Sequence, residues 1–155
     1  MKNARKLGLV GRCLLAGGML IGGCYDPIHS TKEHIKFFTC SYWKDLNKDY
    51  KTIYPDEFIG IKNKFKKDEK MELTLDMPIL GIKGREIIII IYDPKGNPVL
   101  ASSTIMPNDV GTIRFGANTH LVNNLVEKGG FGKYNAVAYV GSATNMFSHE
   151  FEITE

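Results

Sequence analysis

Asp45, Asn47, Asp49 and Asp56 form the one constellation in the sequence with metal-ligand spacing, at positions one, three, five and twelve of a loop. Oxygen donors at those places, with the backbone carbonyl of Lys51 at position seven, are what a seven-coordinate Ca²⁺ requires. Tyr50 occupies position six, where such a loop turns with φ > 0, and that strain costs roughly 1–2 kcal/mol. The apolar residue wanted at position eight comes one later, as Ile53, so a one-residue insertion makes Glu57 the alternative closing ligand. Other groups with chemical capacity fit less well. Ser148, His149 and Glu150 are relay residue types, but neighbours on a strand face opposite sides and cannot line up for proton transfer. His29, His34, His120 and His149 show no paired spacing for zinc. Gly129-Gly130-Phe131-Gly132 follows a helical pattern, so it reads as a stop signal and not as a phosphate cradle. The basic run from Lys62 to Lys70 is broken by Asp68 and Glu69 and reads as a solvated hairpin tip. Tyr42 and Trp43 can stack on sugar rings or fill a core.

These residues must be positioned by short strands. His34 to Trp43 is aromatic and β-branched, hence extended. Phe58 to Phe65 alternates as a strand, although Phe58, Ile61 and Phe65 also suit a helix. Met71, Leu73, Leu75 and Met77 alternate with Glu72, Thr74 and Asp76, which predicts a half-buried strand. The five isoleucines Ile87 to Ile91 predict a central strand covered on both faces. Asp93 to Asn97 supplies a tight turn, with Pro94 fixing φ and Gly96 taking the left-handed position. Strands are expected at 99–105, 110–115, 134–140 and 147–153. Leu121, Val122, Leu125 and Val126 predict a short helix over 118–128, stopped by Gly129-Gly130. The expected class is therefore all-β, an antiparallel sandwich of about seven strands over residues 58–155, with one short helix.

The chain has 155 residues and a formal net charge of +3, but four of its 20 Lys and Arg (Lys2, Arg5, Lys6, Arg12) precede Cys24. That leaves 16 basic against 17 acidic groups in the body. Such a balance lacks the clustered positive field of nucleic-acid binding. Residues 1–23 have a basic start, an apolar stretch from Cys13 to Ile21 too short to span a bilayer, and small residues before Cys24. This is the anatomy of a secretory signal peptide. Residues 24–33, polar and containing Pro27, suit a tether, and 34–57 form an extended segment carrying the acidic loop. With Cys13 and Cys24 removed or consumed, Cys40 stands alone in an aromatic run, so it is expected as a small buried hydrophobe.

Three resemblances attach to these residues. Ile21-Gly22-Gly23-Cys24 resembles the lipobox of bacterial lipoproteins, which implies that Cys24 is acylated on sulfur and becomes the N-terminus after cleavage. The stretch Gly132 to Gly141, followed by Phe151-Glu152-Ile153, is similar to the closing hairpin of bacterial immunoglobulin-like or fibronectin type III-like modules. The Asp45 loop resembles the calcium loops of EF-hand and dockerin modules, and dockerins tolerate Asp at the last position. Together they imply a lipid-anchored protein of the cell envelope, facing periplasm or cell surface, that binds an envelope protein or glycan and catalyses nothing. The alternative is a carbohydrate-binding module accessory to a glycan-degrading system. A hydrolase requires two carboxylates facing each other across a cleft.

Overall fold

The computed structural model describes residues 34–46, 48, 55–77, 82–107, 111–117 and 120–155. The chain runs through β1 (Lys36–Cys40), β2 (Tyr42–Trp43), a 3-10 turn (Pro55–Glu57), β3 (Phe58–Ile59), β4 (Lys64–Lys66), β5 (Glu72–Met77) and β6 (Glu86–Tyr92). There follow β7 (Pro98–Ile105), β8 (Gly111–Phe115), helix α1 (Leu121–Gly129), β9 (Gly132–Val140) and β10 (Ser142–Thr154). They form a three-stranded sheet of order β1-β5-β8, a five-stranded sheet of order β4-β10-β9-β6-β7, and a two-stranded β2-β3 pair. Among the described residues no helix is long and apolar enough to cross a membrane.

The expected all-β sandwich is what the structure shows, and alternation explains its core. Leu73, Leu75 and Met77 of β5 face Ile87, Ile89 and Ile91 of β6, Ala136, Ala138 and Val140 of β9, and Phe147, Phe151 and Ile153 of β10 in one apolar cluster. Leu121, Val122 and Leu125 of α1 join the same cluster. The helix is pinned by Tyr134, whose buried hydroxyl donates to the carbonyls of Leu125 (2.9 Å) and Gly130 and whose ring stacks on Phe151. Gly130 ends it with φ 79°, its N–H donating to the Val126 carbonyl at 2.8 Å.

Several elements depart from the sequence expectations. The isoleucine strand β6 is central, paired antiparallel with both β7 and β9, but only Ile87, Ile89 and Ile91 are buried; Ile88 and Ile90 are half-exposed on the outer face. Conversely β5, expected to be half-buried, has Glu72 7% and Thr74 0% exposed on its polar side, because the β2-β3 pair and its flanks lie over it. The sandwich also begins before residue 58: β1 pairs with β5 along its whole length, Lys36 opposite Asp76 through Cys40 opposite Glu72. Phe58 to Phe65 is neither one strand nor a helix. Gly60, at φ 66°, bends it into β3 and β4. The basic tip from Lys62 to Lys70 is not a hairpin tip either, since β4 and β5 belong to different sheets and β4 pairs parallel with β10. The connection expected between the strands 134–140 and 147–153 shrinks to a turn at Gly141, with the register of β10 against β9 shifting between Ser142 and Met146.

Candidate functional site

The outer face of the small sheet carries a cross-strand polar arrangement. Register places Cys40 of β1 opposite Glu72, and Arg114 of β8 opposite Thr74. A strand face of this composition needs a cover that brings polar partners, and β2 supplies one. The Trp43 indole lies over the Arg114 guanidinium, 4.4 Å from its carbon to the ring centroid. Arg114 in turn reaches Glu72, Nη1 to Oε2 at 3.4 Å. On the far side Glu57, fully buried, accepts the indole N–H of Trp43 on Oε2 (3.1 Å) and the backbone N–H of Leu46 on Oε1 (3.0 Å). The Lys44 N–H donates to the Glu57 carbonyl at 2.9 Å. The result is a layered series: Glu57, Trp43, Arg114, Glu72. It fixes the only tryptophan of the chain by a hydrogen bond at its edge and a cation at its face.

Trp43, Arg114 and Glu72 of this series line a groove of about 630 Å³, which also takes in Tyr42, Glu69, Lys70 and His120, while Glu57 braces Trp43 from behind. Tyr42 is 42% exposed at the groove. The β4-β5 connection frames it. Asp68, at φ 67°, exchanges two hydrogen bonds with Asn123 of α1: its N–H donates to Oδ1 (3.1 Å), and its Oδ1 accepts from Nδ2 (2.8 Å). Glu69 accepts from Lys62 Nζ (2.9 Å) and from the Lys66 N–H (2.8 Å), and the lysine bond foremost holds its carboxyl below the usual range. Each carboxylate described here is thus held by a cation or an amide. The arrangement suits recognition of a polar ligand beside an aromatic edge.

The sequence-derived candidates distribute as follows. Cys24, Asn47, Asp49 and Lys51 lie outside the described residues. Asp45 is half-buried, and Asp56 is exposed on the 3-10 turn. Glu57 faces inward with both oxygens engaged by protein N–H groups. Among the described residues no group of three or more His, Cys, Asp or Glu could hold a metal ion. Cys40 is buried, and burial pushes its thiol up from 9.0 against a weak contact from Thr74 Oγ1 at 3.9 Å. His149 points between the sheets, its Nε2 3.0 Å from Thr39 Oγ1. Because the Thr39 hydroxyl donates to the Lys62 carbonyl, the imidazole is the donor to it. Ser148 and Glu150 sit at the alternate positions of β10, as period-two geometry demands.

Arg114, Glu72 and His120 escaped the sequence reading as site residues. Arg114 sits mid-strand with no motif around it. The one available signal was that Trp43, polar at its N–H, would need a buried acceptor within reach. The sequence matches none of the protein-family models searched and no curated protein.

Proposed function

We propose that this chain is a lipid-anchored, non-catalytic binding protein of the cell envelope, held at Cys24 and binding through the Trp43 groove of an immunoglobulin-like sandwich. The observation that carries it is the Glu57-Trp43-Arg114-Glu72 series. It orients an indole and a guanidinium at a groove, the pairing of aromatic face and fixed donor that ligand recognition uses. The ligand class is an envelope protein or glycan. The exposed phenol of Tyr42, next to Trp43, favours the second reading, a carbohydrate-binding module accessory to a glycan-degrading system, because sugar rings stack on aromatic side chains. Nucleic acid is not a proposed partner.

Two measurements test it. Metabolic labelling with a fatty-acid analogue should tag the wild-type protein, and Cys24→Ser should release it from membranes; a protein membrane-bound and untagged either way ends the anchored reading. Titration with soluble peptidoglycan fragments should shift Trp43 emission, a local reporter because the chain has a single tryptophan. Arg114→Ala should abolish the shift, and emission indifferent to glycans and to the protein's envelope neighbours alike would remove the groove as the binding site.

A further inference from the structure

A second groove, of about 680 Å³, runs beside β1, the end strand of the three-stranded sheet, and has a different character. Phe37 and Phe38 of β1 line it together with Phe58 and Ile61 on the β3 side and Met146 and Phe147 of β10. Two of these wall residues, from different elements, are large apolar side chains left open to water: Ile61 is 58% and Met146 47% exposed. Exposed apolar groups gathered at one groove mark a surface that something apolar covers. Its size lies within the ~300–1,000 Å³ range of small-ligand sites. The polar groups at this groove are few: Ser148 and the cross-strand pair Lys36 and Asp76. Asp76 is turned toward β8, where it accepts from the Thr112 hydroxyl at 2.9 Å, and burial foremost pushes its carboxyl up. Lys36, whose charge acts on that carboxyl, is the one cation among the groove's described lining residues.

We infer that this groove holds the hydrocarbon chain of a long-chain monoacyl lipid, a fatty-acid carboxylate whose head meets Lys36. The choice of a lipid rests on the anchored reading above. Ile35 lines the groove, and only nine residues lie between Cys24 and His34. A ten-residue tether spans at most about 36 Å, so an acylated Cys24 keeps the groove close to a bilayer, where such lipids are plentiful. Apolar walls supply affinity in proportion to methylene count, about fourfold per buried CH₂.

The experiment uses the full-length chain carrying Cys24→Ser, so that groove and anchor are read separately. Parinaric acid, whose fluorescence rises on leaving water, should bind and be displaced by unlabelled fatty acids. Tetradecanoate should displace it about fifteenfold more effectively than dodecanoate, from two additional buried methylenes. Met146→Glu and Ile61→Glu, both at exposed positions, should each weaken binding at least tenfold with an unchanged circular dichroism spectrum, and Lys36→Glu should weaken it severalfold. Absent binding, binding equal in wild type and both groove variants, or equal displacement by the two chain lengths would each overturn the inference. Displacement by an extended apolar peptide but not by fatty acids would also overturn it, in favour of strand addition at β1. Absence of label on the wild-type protein, with fatty-acid binding by the Cys24→Ser chain intact, would sink the anchor alone.

Discussion

Glu57 is the residue on which a calcium role and a structural role make opposite predictions, and Glu57→Gln separates them. In the structure its carboxylate accepts two N–H groups, from Trp43 at 3.1 Å and Leu46 at 3.0 Å, in full burial. A hydrogen bond to a charged group contributes about 1.5–3 kcal/mol net, and a buried donor left without an acceptor costs about 1–3 kcal/mol. Glutamine keeps one oxygen acceptor, now neutral, and turns its NH₂ against the other donor. The combined loss is about 2–4 kcal/mol, a large part of the roughly 5–15 kcal/mol that such a domain has. With a urea m-value of about 1–3 kcal/mol/M, the midpoint should fall by about 1–2 M. Unfolding followed by Trp43 emission and by far-ultraviolet circular dichroism should report the same midpoint, and native emission should move to the red as the indole loses its fixed acceptor. The loss should be the same in excess chelator. A midpoint within 0.3 M of wild type, or a loss that vanishes once calcium is removed, would refute the reasoning.

Tyr134→Phe should cost about 1–3 kcal/mol, read as a lower urea midpoint, because the helix-end carbonyls of Leu125 and Gly130 lose their shared donor while the ring keeps its stack on Phe151. For His149, burial holds the ring below its usual 6.5 against a smaller opposing pull from Glu150. The unfolded chain therefore binds the proton first. Stability should be full above pH 6.5 and decline as pH falls toward the folded value, a slope that His149→Gln should flatten in urea titrations at pH 7.5 and 5. If Asp45, Asn47, Asp49, the Lys51 carbonyl and Asp56 converge on Ca²⁺, saturating calcium should raise the melting temperature. The gain is about 4 kcal/mol at a thousandfold excess over Kd. Asp49→Ala should remove it, and a melting temperature flat from zero to millimolar calcium would leave only a turn.

Local pattern was legible in the sequence where the cause is local. The Asp93 to Asn97 turn forms as its residues dictate, Asp93 Oδ1 accepting the amides of Lys95 and Asn97 at 2.8 Å each and Gly96 at φ 83°. The helix and the strands β6 to β9 lie where periodicity put them, within three residues at their ends, whereas β10 starts five residues before the expected 147. What depended on distant chain was not legible. Glu72 and Thr74 alternate with apolar neighbours like residues facing water, and nothing within β5 tells that the β2-β3 pair covers them. Lys64 to Lys66 carries no mark of its parallel partnership with Glu152 to Thr154. The candidate site was half visible: Tyr42 and Trp43 by type, but not Arg114 and Glu72, which become a site only through cross-strand register.

The position of β10 between β4 and β9 governs when this molecule can fold. Its antiparallel partner β9 immediately precedes it, but Lys64 waits for Glu152, 88 residues later, before β4 has a neighbour. Until then β4, and the connection at Asp68 that frames the Trp43 groove, has no sheet to rest on. Pairings so remote delay folding, because the chain must close a long loop before any contact repays it. The latch that completes the five-stranded sheet, and with it the support of the connection framing the groove, therefore arrives with the last strand.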